Sequence, residues 1–81
     1  MELNKQEASY ILDGEKKYVG RILRGDVLNW YYETERLLRG LDKPNIRGCN
    51  CEYRALAANV HSLISQHRGY IESIVNGQTE S

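Results

Sequence analysis

The chain has 81 residues, a length that fits one domain and is too short for a two-domain enzyme. Hydrophobic residues make up 41% and charged residues 27% of the sequence, which is typical of a folded domain and not of a disordered chain. Eleven basic residues balance eleven acidic residues, so the sequence lacks the overall positive charge of a nonspecific DNA-binding protein, and bulk nucleic-acid binding is disfavoured.

Apolar residues recur at helical spacing in three stretches, and these predict an all-α fold. The first stretch predicts a short helix over about residues 2–12. The second predicts a long amphipathic helix over about residues 15–41. Within it, Gly25-Asp26 marks either a kink at residues 25–26 or a break in which Asp26 caps a second segment, because glycine interrupts helices and aspartate caps them.

A third helix is predicted over about residues 50–76, and its apolar spacing is the most regular of the three. Asn50 is a suitable N-cap, and the Asn76-Gly77 pair favours a left-handed C-terminus. The stretch before this helix contains the only proline, Pro44, and no helical rhythm. It is therefore predicted to connect the second and third helices.

The two long helices match in length and are predicted to form an antiparallel helical hairpin, within a single domain that covers residues 1–81. The apolar seam of the third helix is too wide for one neighbouring helix, so a homo-oligomeric helix bundle is expected. The predicted oligomer interface consists of Tyr53, Leu56, Val60, Leu63, Ile64, His67, Ile71 and Ile74.

Residues suited to catalysis or metal binding are few. His61 and His67 point in directions about 120° apart around a helix, so they do not act together on one small substrate. Cys49 and Cys51 invite a zinc or reactive-thiol interpretation, but their spacing differs from that of Cys-x2-Cys zinc sites. Two small residues lining a turn are the simpler alternative. The sequence therefore predicts no enzyme, no metal site and no cofactor.

The aromatic and cationic composition is typical of a recognition surface. The chain has six tyrosines and one tryptophan but no phenylalanine, and arginine outnumbers lysine by seven to four. Arg21, Tyr32 and Arg39 fall opposite the apolar stripe of the second helix, with Arg24 beside them. Residues 16–54 hold nine basic and five acidic residues, a net charge of +4, which favours a compact anionic ligand. The alternative is a solvated surface on which acidic neighbours neutralise these arginines.

The helical architecture, together with Tyr10, Arg24 and Arg68, resembles small phage-encoded helical-hairpin proteins that sequester cyclic-nucleotide immune signals, of the anti-CBASS protein 2 and Thoeris anti-defence types. The resemblance implies a homo-oligomer that holds a nucleotide between protomers, with tyrosine stacking on the ligand and arginine binding its phosphate. It also implies a phage protein that acts in the host cytoplasm.

We therefore expect a non-enzymatic, cytoplasmic homo-oligomer that captures a small anionic nucleotide-like ligand. We expect no membrane partner, because no apolar stretch is long enough to cross a bilayer. The alternative is a protein-binding adaptor, inhibitor or small phage or virion assembly subunit, in which the same tyrosines and arginines contact a protein surface. The predicted ligand-binding residues are Tyr10, Arg21, Arg24, Tyr32, Arg39 and Arg68.

Overall fold

The computed structural model describes residues 3–77, apart from the side chain of Asn50. Those residues form three helices, α1 (Lys5–Tyr18), α2 (Gly25–Arg39) and α3 (Asn50–Asn76), and none of them lies in a strand. The predicted all-α class is confirmed. Within the described part of the chain, no helix combines the length and the apolar character needed to cross a membrane.

The first helix, α1, begins with a capping box that satisfies two backbone N–H groups. The Glu7 N–H donates to Asn4 Oδ1 at 2.8 Å, and the Asn4 N–H donates to Glu7 Oε1 at 3.0 Å. The helix continues to Tyr18, beyond the end predicted at residue 12, because Gly14 packs inside it against α2. The first residue of the predicted 2–12 range lies outside the described residues.

The second helix, α2, begins at Gly25, so the helix predicted over residues 15–41 is corrected to two helices joined by residues 19–24. Gly20 and Gly25 have positive φ angles of 89° and 56°, a conformation that glycine adopts without strain. These two residues bring the chain out of α1 and into α2. Gly25 therefore starts a helix instead of kinking one.

The third helix, α3, spans the expected residues 50–76, and Gly77 ends it with a left-handed φ of 74°. Its N-cap is Cys49 and not the predicted Asn50, whose side chain lies outside the described atoms. The Cys49 carbonyl accepts from the Glu52 N–H at 3.0 Å, which closes the first turn. The sequence signals at both ends of this helix are local, and they place its limits accurately.

The core lies where α1 and α2 both pack on α3, and each pair of helices is in contact. Trp30 and Tyr31 of α2 are its two largest buried side chains among the described residues, and their rings meet edge to face at 4.9 Å between centroids. The Trp30 indole Nε1 donates to the Tyr10 carbonyl at 3.2 Å, which joins α2 to α1. Gly14 permits this close approach, since a Cβ there would lie 1.9 Å from Nε1.

Four of the eight residues predicted to form the oligomer interface on α3 are already covered within the single chain. Leu56, Val60, Ile64 and Ile71 are fully buried inside the single chain, in one apolar cluster with residues of α1 and α2. The second neighbour that the wide seam requires is α1, which is longer than predicted and packs on α3 in the same molecule. The other predicted interface residues keep part of their surface exposed: Tyr53, Leu63, His67 and Ile74.

Candidate functional site

A groove of about 620 Å³ lies between α1, α2 and the connection that leads to α3. Tyr32 and Leu37 of α2 line it and are nearly buried, while Tyr10 of α1 and Ile46 of the connection expose 41% and 66% of their surface. Pro44 completes the apolar lining. The groove is therefore mostly apolar and open to solvent, and two of the predicted site residues, Tyr10 and Tyr32, line it together.

A hydrogen-bond network fixes the connection against α2 and so shapes this groove. The Tyr32 hydroxyl accepts from the Arg47 N–H at 3.0 Å and donates to the Arg47 carbonyl at 3.3 Å. The Arg47 guanidinium binds both carboxylate oxygens of Glu35, at 2.5 and 2.9 Å. Glu35 is only 1% exposed, and its hydrogen bond raises the pKa of Arg47. These contacts hold the neighbouring Ile46 in the wall of the groove.

The sequence does not indicate the role of Arg47 or its pairing with Glu35. The two residues are 12 positions apart and belong to a helix and a non-helical connection, so no periodic pattern relates them. Arginine favours bidentate binding of carboxylates, but that preference does not select one pair in a chain with seven arginines.

Carboxylates lie around Tyr10 on the α1–α2 side of the groove. Glu7 and Glu33 line the groove, and burial together with the charges of Glu33 and Asp26 raises the pKa of the Tyr10 hydroxyl. Arg36 neutralises one of these carboxylates, with its Nε 3.0 Å from Oε2 of Glu33. Among the described residues, the carboxylate of Glu7 remains without an arginine and keeps this side of the groove negative. The groove therefore suits an apolar group with a cation beside it and repels phosphate.

The arginines predicted to bind the ligand lie away from this groove. Arg68 pairs with Glu15 at 3.0 and 2.5 Å and so joins α3 to α1, and Arg39 pairs with a carboxylate of its own helix at 3.3 Å. Arg21 and Arg24 line a separate cavity of about 410 Å³ in the α1–α2 connection. Within one chain, the six predicted ligand-binding residues therefore do not form one pocket.

The two histidines of α3 have different surroundings. His61 Nε2 lies 3.3 Å from the hydroxyl oxygen of Tyr31, and the two rings are nearly perpendicular with centroids 5.7 Å apart. The hydroxyl of the buried Tyr31 ring thus has a hydrogen-bond partner. His67 is half-buried on α3. The structure thus gives His61 a packing role.

Cys49 and Cys51 are exposed free thiols at the start of α3. The neighbouring Cys51 thiol, followed by the backbone N–H of Glu52, lowers the pKa of Cys49. The influence of Cys49 in turn raises the pKa of the Cys51 thiol. Among the described residues, no three His, Cys, Asp or Glu side chains cluster as a metal site requires.

We expect limiting iodoacetamide at neutral pH to alkylate Cys49 before Cys51, because a lower pKa leaves more of the Cys49 thiol as the reactive thiolate. Peptide mass spectrometry gives the two rates. In the Cys51→Ala variant the rate at Cys49 should fall, since the neighbouring thiol that lowers its pKa is lost. Equal rates for the two cysteines in the folded protein would contradict the opposite pKa shifts of the two thiols.

No protein-family model, curated protein or solved structure matches this chain. These comparisons do not bear on the resemblance to proteins that sequester cyclic nucleotides. The features of the structure that bear on function are the groove, the charges around it and the α1–α2 connection.

Proposed function

We propose that this protein is a non-enzymatic binding protein that docks an apolar segment of a protein partner in the groove between α1, α2 and the α2–α3 connection. The observation that carries the proposal is that the groove is preformed in the free chain, where Tyr32, Arg47 and Glu35 hold its wall. A site that is already ordered loses less conformational entropy on binding. Of the two functions that the sequence favours, protein binding has the better geometric support.

The chemistry of the groove defines the partner segment. Tyr10 and Ile46 expose apolar surface of the kind that anchors protein interfaces. Glu7, which forms no ion pair with another described residue, places negative charge beside it. A complementary segment therefore carries apolar side chains next to lysine or arginine, as an amphipathic basic helix presents them along one face.

Capture of a small anionic nucleotide-like ligand, the function of a phage anti-defence sponge, is a second candidate at a different place. It is supported by Arg21 and Arg24, which line the cavity in the α1–α2 connection and form no ion pair with another described residue. Tyr10 and Tyr32 do not supply a stacking ring there, because within one chain both line the groove.

Association of copies into a helix bundle, with α2 and α3 as an antiparallel hairpin, also belongs to this proposal, as does a cytoplasmic location. The part of α3 that a second copy can contact is smaller than the sequence suggests, because four seam residues fill the core of the single chain. The surface that remains for such a contact is provided by Tyr53, Leu63, His67 and Ile74.

The test uses a synthetic amphipathic peptide with leucine on one helical face and lysine beside it, titrated into isotope-labelled protein and followed by NMR. We expect the resonances of Tyr10, Tyr32 and Ile46 to shift. The same peptide with glutamate in place of lysine should bind more weakly, because the groove is negative. Tyr10→Ala should weaken binding of the lysine peptide about tenfold or more, since it removes an aromatic anchor.

Matched isoleucine variants distinguish the groove from the rest of the surface. Ile46→Ser removes a groove side chain, whereas Ile22→Ser removes an isoleucine of similar exposure, 72% against 66%, in the α1–α2 connection. Only Ile46→Ser should lower the affinity for the lysine peptide, by about fivefold to tenfold. Equal losses in the two variants, or tighter binding of the glutamate peptide, would rule out docking in the groove.

A further inference from the structure

The α1–α2 connection and the end of α1 concentrate positive charge in a chain whose net charge is zero. Residues 16–24 contain four basic residues and no acidic residue. Lys16, Lys17, Arg21 and Arg24 are all exposed, and none of them forms an ion pair with another described residue. This stretch therefore presents four cations to an anion from outside the molecule.

The same stretch exposes two aliphatic side chains among these cations. Ile22 is 72% exposed and Val19 is 43% exposed. Two backbone hydrogen bonds fix this part of the chain: the Arg21 N–H donates to the Tyr18 carbonyl at 3.1 Å, and the Arg24 N–H donates to the Ile22 carbonyl at 3.0 Å. Ile22 is thus presented to solvent by an ordered turn, and core packing does not account for its apolar character.

We propose that residues 16–24 contact the surface of a membrane that contains anionic lipids. The phosphate headgroups attract the four cations, and the side chains of Val19 and Ile22 enter the boundary between headgroups and acyl chains. Lysine and arginine stems extend along such a boundary while their charges stay in water. The contact is peripheral, because none of the described helices is able to cross a bilayer.

A lipid surface fits these residues better than a soluble phosphate compound or an acidic protein does. A nucleotide uses a ring for stacking in addition to arginine, but the side chains that line the cavity with Arg21 and Arg24, those of Ile22 and Val27, are aliphatic. An acidic protein needs a preformed apolar depression for Ile22, whereas lipids rearrange around a side chain that enters them. The lack of a membrane-spanning stretch predicts that the chain does not cross a bilayer, and it does not exclude contact with a bilayer surface.

The test is co-sedimentation of the full chain with phosphatidylcholine vesicles, prepared with and without phosphatidylglycerol. We expect binding only to vesicles that contain phosphatidylglycerol, and less binding as salt is added, because salt screens the attraction to the headgroups. Combining Arg21→Gln with Arg24→Gln should weaken binding about tenfold or more. Ile22→Ser should weaken it severalfold, whereas Ile46→Ser, the matched control in the groove, should leave it unchanged.

The double arginine variant should keep the wild-type affinity for the lysine peptide in the groove, so failure of this proposal and failure of groove docking give different results. Absence of sedimentation with phosphatidylglycerol vesicles at low salt would overturn the lipid proposal. Equal losses of vesicle binding in Ile22→Ser and Ile46→Ser would also overturn it, because they would show that the protein adsorbs through another surface. A cyclic dinucleotide that raises the melting temperature only when Arg21 and Arg24 are present, without vesicle binding, would assign these residues to soluble anions.

Discussion

Gly14→Ala is expected to lower the free energy of unfolding by about 3 kcal/mol, although alanine is the better helix former. A Cβ at Gly14 would lie 1.9 to 2.5 Å from three atoms of the Trp30 indole. That ring is fully buried and hydrogen-bonded to the Tyr10 carbonyl, so it has no space into which to move. The indole or α1 must shift, and either change disrupts the core. Urea unfolding followed by circular dichroism measures the loss.

Gly69→Ala is the matched control for this prediction. Gly69 is also inside a helix, but it is exposed, and no atom other than those of its chain neighbours and its own helix backbone lies within 4 Å of the position that a Cβ would take. The substitution should therefore raise the free energy of unfolding by about 0.5 to 1 kcal/mol through the higher helix propensity of alanine. If the two variants had the same free energy of unfolding, α1 would not pack closely on Trp30 at Gly14.

Gly14 also shows why sequence reasoning placed the end of the first helix too early. A glycine after an apolar stretch is a common helix end, but here it is the point at which an indole approaches the helix backbone. Glycine suits both roles, helix end and close packing contact, because it has no Cβ. Only the position of Trp30 in space shows which role Gly14 has. The limits of α3 depend instead on local apolar spacing and on Gly77, so the sequence predicts them well.

The prediction of an oligomer follows from considering the two long helices alone. A two-helix hairpin covers the wide seam of α3 on one side only, so a second copy is needed to cover the other side. In the structure α1 also packs on α3, and Leu56 and Ile64 are fully buried within the single chain. Less of the seam is therefore left for a second copy, and association of copies stays a prediction.

The candidate site is predictable only in part, because its residue types are visible in the sequence and their arrangement is not. The abundance of tyrosine and arginine is plain in the sequence, and Tyr10 and Tyr32 share a groove. The spacing within one helix does not show contacts between helices, such as that of Glu33 with Tyr10 or of Arg68 with Glu15. As a result, Tyr10 and Tyr32 lie in the groove, whereas the arginines predicted to bind a ligand with them lie elsewhere.

Arg47→Met is expected to cost about 3 kcal/mol of stability, because it leaves the carboxylate of Glu35 buried without its bidentate partner. The Arg47 side chain is only 13% exposed, so solvent screens this ion pair little. Methionine keeps much of the apolar stem of arginine, so the loss reports mainly on the charge. Arg39 remains 3.3 Å from the same carboxylate, which limits the loss. Urea unfolding provides the measurement.

Arg39→Met is the matched control, since Arg39 contacts the same carboxylate but exposes 45% of its side chain. Solvent screens that pair, so the expected loss is below about 1 kcal/mol. The double variant Glu35→Met with Arg47→Met should recover most of the stability that Arg47→Met loses, because two apolar side chains replace the buried pair. A double variant less stable than Arg47→Met alone would show that an unpaired carboxylate is not the cause of the loss.

The same substitution connects the stability of the fold to the proposed function. The backbone of Arg47 is bonded to the Tyr32 hydroxyl, and its guanidinium secures the segment that carries Ile46. Arg47→Met should therefore weaken binding of the leucine and lysine peptide at temperatures where the variant is still folded, because the wall of the groove becomes less ordered. Arg39→Met should bind the peptide like the wild type. Equal peptide affinity in both variants would show that the groove does not depend on the ion pair between Arg47 and Glu35.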